Sequence, residues 1–402
     1  MTAPAHTPDA VRGHLPALDG LRGVAILLVI ASHYLGDYWR TATVGWTGVN
    51  LFFVLSGFLI TGILLDAKGA PHYFRNFYAR RTLRIFPLYY LVLCLAFIVA
   101  PFFSALDTEG FREVAGRQGW LWTYTMNLYV SFRSEVGGSN PFAGDWVEML
   151  HFWSLSVEEQ FYLAWPLIVL VASRGQLRVI CGAMFVGAWL LRVYFSGEVP
   201  VDIEAKSRLL RAYYSGQNNL AAPYFFTLCR VDDLAIGAFI ASMARERDGL
   251  EKLRACAPWL SIIALWALLG TGLRLRHFFQ LDADVQRYAY SAFSVLYGCL
   301  LVFALAAAPK NGYRLLLENP VLRSFGKYSY AIYLFHWGLS DLLFARIVPL
   351  EALADRLGSP DAALAARVVI VAIISWGIGW LSWNAYEKHF LKLKRGFYNE
   401  PK

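Results

Sequence analysis

Ten windows of about 20 predominantly apolar residues dominate this chain, centred near Val29, Leu55, Leu93, Trp165, Val186, Ile236, Leu265, Val302, Leu334 and Ile373. Each is long enough to cross a bilayer as a helix. Lipid offers no partner for a backbone N–H or C=O, so only helices and closed barrels can span it, and runs of this length specify helices. Charged residues make up 16% of the sequence, against roughly 25% in soluble domains, which argues against a water-soluble bundle. The expected fold class is all-α: a polytopic membrane protein of about ten transmembrane helices, with the lipid bilayer as its first partner.

An even number of spans places both termini on one side, and Lys and Arg say which. With both ends cytoplasmic, the inner connections carry Lys68, Arg75, Arg80, Arg81 and Arg84, then Arg174 and Arg178, then Arg245, Arg247, Lys252 and Arg254. Later inner segments add Lys310, Arg314, Arg323 and Lys327, and the tail adds Lys388, Lys392, Lys394, Arg395 and Lys402. The outer connections are poorer in basic residues and hold Asp107, Glu109, Glu113, Glu135, Asp145 and Glu148. This positive-inside pattern predicts cytoplasmic termini. It also accounts for the net charge of +8, which forms no stripe or tail, so no nucleic-acid partner is expected.

Residues 1–14 read as a disordered cytoplasmic lead into a retained first helix, 15–388 as one transmembrane domain, and 389–402 as a short basic cytoplasmic tail. The longest connection, about 104–150, falls outside, and its aromatic run 120–129 suits an interfacial or re-entrant helix. The five cysteines are scattered without a C-x-x-C pair, which predicts neither a disulfide framework nor a metal site.

Polar residues inside the apolar runs are the candidate functional positions, because ionisable groups in a membrane helix are costly. Arg22 and His33 lie eleven residues apart on the first run. At roughly 100° per residue that is about three turns, so both share one helix face, about 16 Å apart along its axis. A snorkelling anchor for Arg22 and a satisfied interfacial histidine for His33 would give the same pattern. The fourth run enters from the outer side with His151, Trp153 and Glu158, at the level of His33. A carboxylate that orients an imidazole, whose other nitrogen takes a hydroxyl proton, is the arrangement of general base catalysis, and His33 with Glu158 is the candidate pair. Solvated acids at a helix start are the competing reading.

The second run opens with small residues and with Asn50 and Ser56, fit for close helix approach or for a site. The sixth opens with Arg230, Asp232 and Asp233, which either bind a polar acceptor or pair with each other. His336 falls near mid-membrane in the ninth run, where a hydrogen-bonded core histidine is the usual finding. On the cytoplasmic side Arg81 and Arg84 share a helix face and form a fork suited to phosphates, or reflect the positive-inside bias alone.

Taken in order, these residues resemble the membrane-bound acyltransferase-3 family, the bacterial O-acyltransferases that modify surface sugars and some antibiotics. Arg22 and His33 look like its first-helix signature, and 48–57 resembles its second-helix block, with Asn50 where the family pattern has an acid. Arg81-Thr82-Leu83-Arg84 is similar to its Arg-x-x-Arg, and Trp153-Ser154-Leu155-Ser156-Val157-Glu158 to its Trp-Ser-Leu block. Arg230 and Asp232 with Leu234 and Gly237 resemble a later block, and 329–337, which holds His336, a penultimate-helix motif. The blocks run from Leu15 to Glu387, nearly the whole chain.

The resemblance implies a ten-helix core in the bacterial cytoplasmic membrane. It would take an acyl group, acetyl by default, from cytoplasmic acyl-CoA and place it on a hydroxyl of a sugar or glycoside at the outer face. Arg22, Arg81 and Arg84 would hold the donor's phosphates, while His33 and Glu158 act on the acceptor. Asn50, Ser56, His151, Trp153, Arg230, Asp232 and His336 would bind substrate, and no metal is implied. His33 would serve either as base for direct attack or as a transient acyl carrier. Some members carry an extracytoplasmic SGNH-type hydrolase domain, and a stand-alone transferase is the expectation here. The rival from another class is a transporter of an organic anion or lipid-linked sugar, with Arg230, Asp232 and His336 along its path. Transporters usually show internal repeats or matching broken helices, and neither is visible.

Overall fold

The computed structural model describes residues 13–35, 42–132, 141–144, 147–196, 221–337 and 349–397. Expectations for the lead before residue 13, for Glu135 and Asp145, and for the tail after 397 with Lys402 lie outside the described residues. Among those described there is no strand, and the long helices are α1 (Pro16–Leu35), α2 (Gly48–Asp66), α3 (Tyr73–Cys94), α4 (Trp153–Val171) and α5 (Arg174–Ser196). They continue with α6 (Thr227–Met243), α7 (Gly249–Leu275), α8 (Tyr290–Ala306), α9 (Pro320–Phe335) and α10 (Pro360–Ser382). Each predicted window centre falls inside one of them.

Seven of the described helical stretches, those containing α1, α2, α3, α5, α7, α8 and α10, are long and apolar enough to cross a membrane. The other three, α4, α6 and α9, are shorter or more polar, and they carry Glu158, Arg230 and Ser329. Their neighbours explain the difference. α6 is buried along almost its whole length, whereas α5 and α7 expose Val179, Val186, Leu190, Trp259, Ile263, Trp266 and Leu273. A helix surrounded by protein can carry polar groups that a lipid-facing helix excludes.

Local signals set several helix starts. Asn319 accepts a hydrogen bond from the Val321 N–H ahead of α9, and Ser359 from the Ala362 N–H ahead of α10, each followed by proline at the first helical position. The Lys68 ammonium, just past α2, donates to the carbonyls of Val169 at 2.8 Å and Ala172 at 2.7 Å. A cation at the carbonyl end of α4 satisfies acceptors the helix itself leaves open. The aromatic run after Gly119 forms two short helices, Gly119–Trp122 and Met126–Phe132, folded back onto the bundle. Tyr89 of α3 donates to the Leu121 carbonyl at 2.8 Å, and Gln160 of α4 to that of Tyr124 at 2.9 Å.

Two close helix contacts set the register of the centre. α2 lies on α6, where a Cβ on Gly57 would meet the Leu234 carbonyl oxygen at 2.0 Å and one on Gly237 that of Val54 at 2.0 Å. α1 lies on α9 and runs parallel to it, with Gly23 against Leu322 and Gly326 against Asp19 in the same way. The small residues of the second block are thus used for close approach. Gly237→Ala should lower the thermal midpoint of the detergent-solubilised protein by the equivalent of about 1–3 kcal/mol, because the opposing atom is backbone and has no rotamer to yield. Gly377→Ala, where an added Cβ meets nothing within 4 Å, should leave the midpoint unlowered or raise it slightly in the same melt, because alanine favours the helix.

Candidate active site

Three histidines from distant parts of the chain meet at one end of α1. Nδ1 of His33 lies 2.7 Å from Nε2 of His336, and Nδ1 of His336 lies 2.8 Å from the Tyr333 carbonyl oxygen. A carbonyl only accepts, so Nδ1 of His336 carries the proton. In the neutral ring Nε2 then accepts from the Nδ1–H of His33. That leaves Nε2 of His33 as a lone-pair nitrogen held in a fixed direction. Trp337 packs its ring against His33 with centroids 3.9 Å apart. Tyr34 donates to the His336 carbonyl. The His151 ring stands edge-on to His336 at 5.1 Å, buried, and neither of its nitrogens has a hydrogen-bond partner among the described residues.

His336, expected near mid-membrane, instead sits one residue past the end of α9 at the level of His33. A helix that begins at Pro320 has already risen about 24 Å by Phe335, so its last turn arrives at the far end of α1.

The other end of α1 is cationic. Arg22 donates to the Ser329 hydroxyl of α9 at 3.4 Å. It lies within electrostatic range of Arg84 and Glu158. Arg81 faces Arg84, Arg80 and Glu159, and Lys394 from the segment after α10 faces all three of these arginines. The Ser56 and Tyr162 hydroxyls are hydrogen-bonded to each other, and Glu158 lies within electrostatic range of both and of Arg22 and Arg81. The expected pairing of Glu158 with His33 is therefore not what the structure brings together. Glu158 is seven residues beyond His151, about 10 Å deeper along α4, which puts it with the arginines. Arg22, Arg80, Arg81, Arg84 and Lys394 together outnumber the carboxylates within their range.

A third polar group lies under the second and sixth helices. Asp232 takes the Arg192 guanidinium at 2.7 Å, with the side chains 0% and 1% exposed. Arg192 also donates to the Ser291 hydroxyl at 2.6 Å and to the Cys229 carbonyl. Asp233 accepts from Asn50 at 2.9 Å and from Ser294 at 2.6 Å, and Arg230 donates to Asn50 at 3.0 Å. The Arg230 guanidinium lies among the rings of Tyr290 at 4.8 Å, Tyr224 at 5.3 Å and Trp153 at 5.5 Å, with its Nε and Nη1 unpartnered among the described residues. Asp232 is thus ion-paired, with Arg192 and not with Arg230 of its own helix, which lies 3.5 Å from Asp233.

Arg22, Arg81 and Arg84 are thus gathered at one end, and His33, His151 and His336 at the other. Trp153 and Asn50 belong to the Arg230 group, and Ser56 to the Glu158 group. Sequence reasoning missed Arg192, Glu159, Trp337 and Lys394. A lone arginine in the fifth apolar run was a usable signal for the first. Lys394 carried none, since a tail lysine reads as topology until the chain is folded. Among the described residues no cluster of His, Cys, Asp or Glu is disposed to hold a metal ion.

A helical bundle with several spans able to cross a bilayer, and with ionisable groups gathered inside it, is a multi-pass protein of the cell membrane. The family described as Acyltransferase domain matches residues 15–383, and the chain belongs to it. OatA of Listeria monocytogenes, named as a peptidoglycan O-acetyltransferase, is 29% identical over 82% of this chain and 50% of its own length. OatA of Staphylococcus aureus, an O-acetyltransferase, is 27% identical over 81% and 50%. YrhL of Bacillus subtilis, a candidate peptidoglycan O-acetyltransferase by name, is 26% identical over 93% and 54%. The chain spans about half the length of these curated relatives. No solved structure matches it.

Removing one member of a buried ion pair leaves the other charge uncompensated, which costs about 3–5 kcal/mol. Arg192→Met should therefore lower the thermal midpoint sharply. The double variant Arg192→Met/Asp232→Leu should recover much of the loss in the same fluorescence melt.

Proposed function

We propose that this chain is an integral membrane O-acyltransferase. It moves an acyl group, acetyl in the first instance, from acyl-CoA to a hydroxyl of an envelope sugar or glycoside. The observation that carries this reading is the polarity of α1, with Arg22 in a cationic cluster at one end and His33 in an oriented imidazole pair at the other. The two are about 16 Å apart, a span that an extended pantetheine arm can cover. On this reading residues 15–388 form one domain of ten spans with both termini cytoplasmic, and Arg22, Arg81, Arg84 and Lys394 hold the phosphates of CoA. The names of the relatives suggest peptidoglycan as the acceptor.

The chemistry follows from the imidazole geometry. Nε2 of His33 takes the proton of the acceptor hydroxyl as its oxygen attacks the thioester carbonyl. The C–S bond breaks, the CoA thiolate leaves and is reprotonated, and His33 returns its proton to solvent. His336 keeps the His33 ring in the tautomer that leaves Nε2 free, and the Trp337 face stabilises the imidazolium that forms. In the alternative course Nε2 itself attacks the thioester and hands the acyl group on. Glu158, near the arginines, contributes to the donor end.

Sealed proteoliposomes given labelled acetyl-CoA on the face that carries the termini test this directly. Wild type should release label from CoA, if only as slow hydrolysis. His33→Ala should reduce that rate by about 10²–10⁴. His336→Ala should reduce it while leaving the KM for acetyl-CoA in place, and Arg84→Ala should mainly raise that KM. If CoA is neither bound nor cleaved the donor is wrong, and uptake of an organic anion by the same vesicles becomes the measurement to make.

A further inference from the structure

Away from α1, a cavity of about 260 Å³ opens between α5, α6, α7 and α8, and every residue that lines it is apolar or a cysteine or glycine. Its walls include Gly182 and Phe185 of α5, Phe239 of α6, Cys256 and Leu260 of α7, and Gly298 of α8. The lining faces of α5 and α7 adjoin their exposed apolar surfaces, with Val179 and Val186 on α5 and Trp259 and Ile263 on α7. The cavity therefore meets the hydrocarbon of the bilayer, not water.

Helical periodicity places charge at one end of it. Arg178 is four residues before Gly182 and seven before Phe185, so it continues the lining face of α5 one turn beyond the cavity, and Arg174 continues it a second turn. On α7, Lys252 and Arg254 flank the lining residues Leu253 and Cys256 at the same end, both exposed and with no ion pair among the described residues. The neighbouring carboxylates are Glu246, Asp248 and Glu251. Glu246 is held by Arg178 at 2.6 Å, and Arg245 is taken up by Asp66 at 2.8 Å. Arg174, Arg178, Arg247, Lys252 and Arg254 outnumber these acids, which leaves a net positive balance at this end.

We infer that this crevice binds one anionic phospholipid of the leaflet on the side where α7 begins. An acyl chain fills the cavity and the phosphate rests among Arg178, Lys252 and Arg254. An apolar slot that opens to lipid and is capped by cations, of which Lys252 and Arg254 are exposed and without an ion pair among the described residues, matches both halves of such a molecule. An uncharged lipid would match only one.

Two sets of variants test the two halves separately. A Cβ on Gly182 meets nothing within 4 Å, so Gly182→Leu adds a side chain to the cavity without a backbone clash and favours the helix. Lys252→Ala/Arg254→Ala alters only exposed side chains. Purified full-length protein is equilibrated with phosphatidylglycerol or phosphatidylcholine in mixed micelles, and retained lipid is counted by native mass spectrometry, with size-exclusion profiles as the folding check. Wild type should keep one phosphatidylglycerol at least five-fold more often than phosphatidylcholine. Gly182→Leu should lose that bound lipid, and the double alanine variant should keep lipid but lose the preference. Gly182→Leu retaining as much phosphatidylglycerol as wild type would overturn the cavity as the chain's seat. Equal retention of the two lipids by wild type, or an undiminished preference in the double variant, would overturn the headgroup site.

Discussion

A Cβ at Gly326 would lie 1.8 Å from the carbonyl oxygen of Asp19, so α1 and α9 approach as closely as they do only because none is there. Between two apolar helices in lipid there is no hydrophobic force to draw them together, and close backbone packing must supply the attraction. This contact has a chemical result. The helices run parallel, and the register that seats Gly23 and Gly326 also sets Arg22 against Ser329 at one end and His33 against His336 at the other. A slip of one residue along either helix would turn each partner about 100° away and separate both pairs.

The α2–α6 contact does the same for the buried ions. Gly57 and Gly237 let the two backbones touch, and that places Asn50 between Arg230 and Asp233. The two arginines and two aspartates of this group cancel in charge, which is the condition for keeping ions inside a bundle that lipid surrounds. Asn50 fits that balance as a neutral amide, because it donates to an aspartate and accepts from an arginine at once. The Arg22 and Arg81 cluster is different in kind. Its cations repel one another and are only partly offset by Asp19, Glu158 and Glu159.

The His33 ring is oriented without a carboxylate. In the familiar arrangement an acid fixes the tautomer of the imidazole. Here a neutral second imidazole does so, itself fixed by the Tyr333 carbonyl. A neutral partner avoids placing an anion in the membrane interior, and the Trp337 face offers part of the stabilisation that the missing charge would have given the protonated ring.

The sequence by itself determined the solvent and the elements. Runs of about 20 apolar residues have one stable form in a bilayer, and each predicted centre does lie in a helix. It also determined that Arg22 and His33 share a face, because both lie on one unbroken helix and local geometry fixes their separation. Arg81 with Arg84 was readable for the same reason. The partners of these residues were decided only by tertiary structure. Glu158 was assigned to His33 because helix direction puts both near one side, whereas its depth within α4 and the packing of α4 on α2 put it with Ser56 and Arg22. His336, Arg192 and Lys394 found their partners across 303, 40 and about 310 residues of chain, through contacts that no periodicity encodes. Spacing along a helix is set by covalent geometry, while pairing between helices is set by where glycines let backbones meet, and that is a property of the assembled bundle.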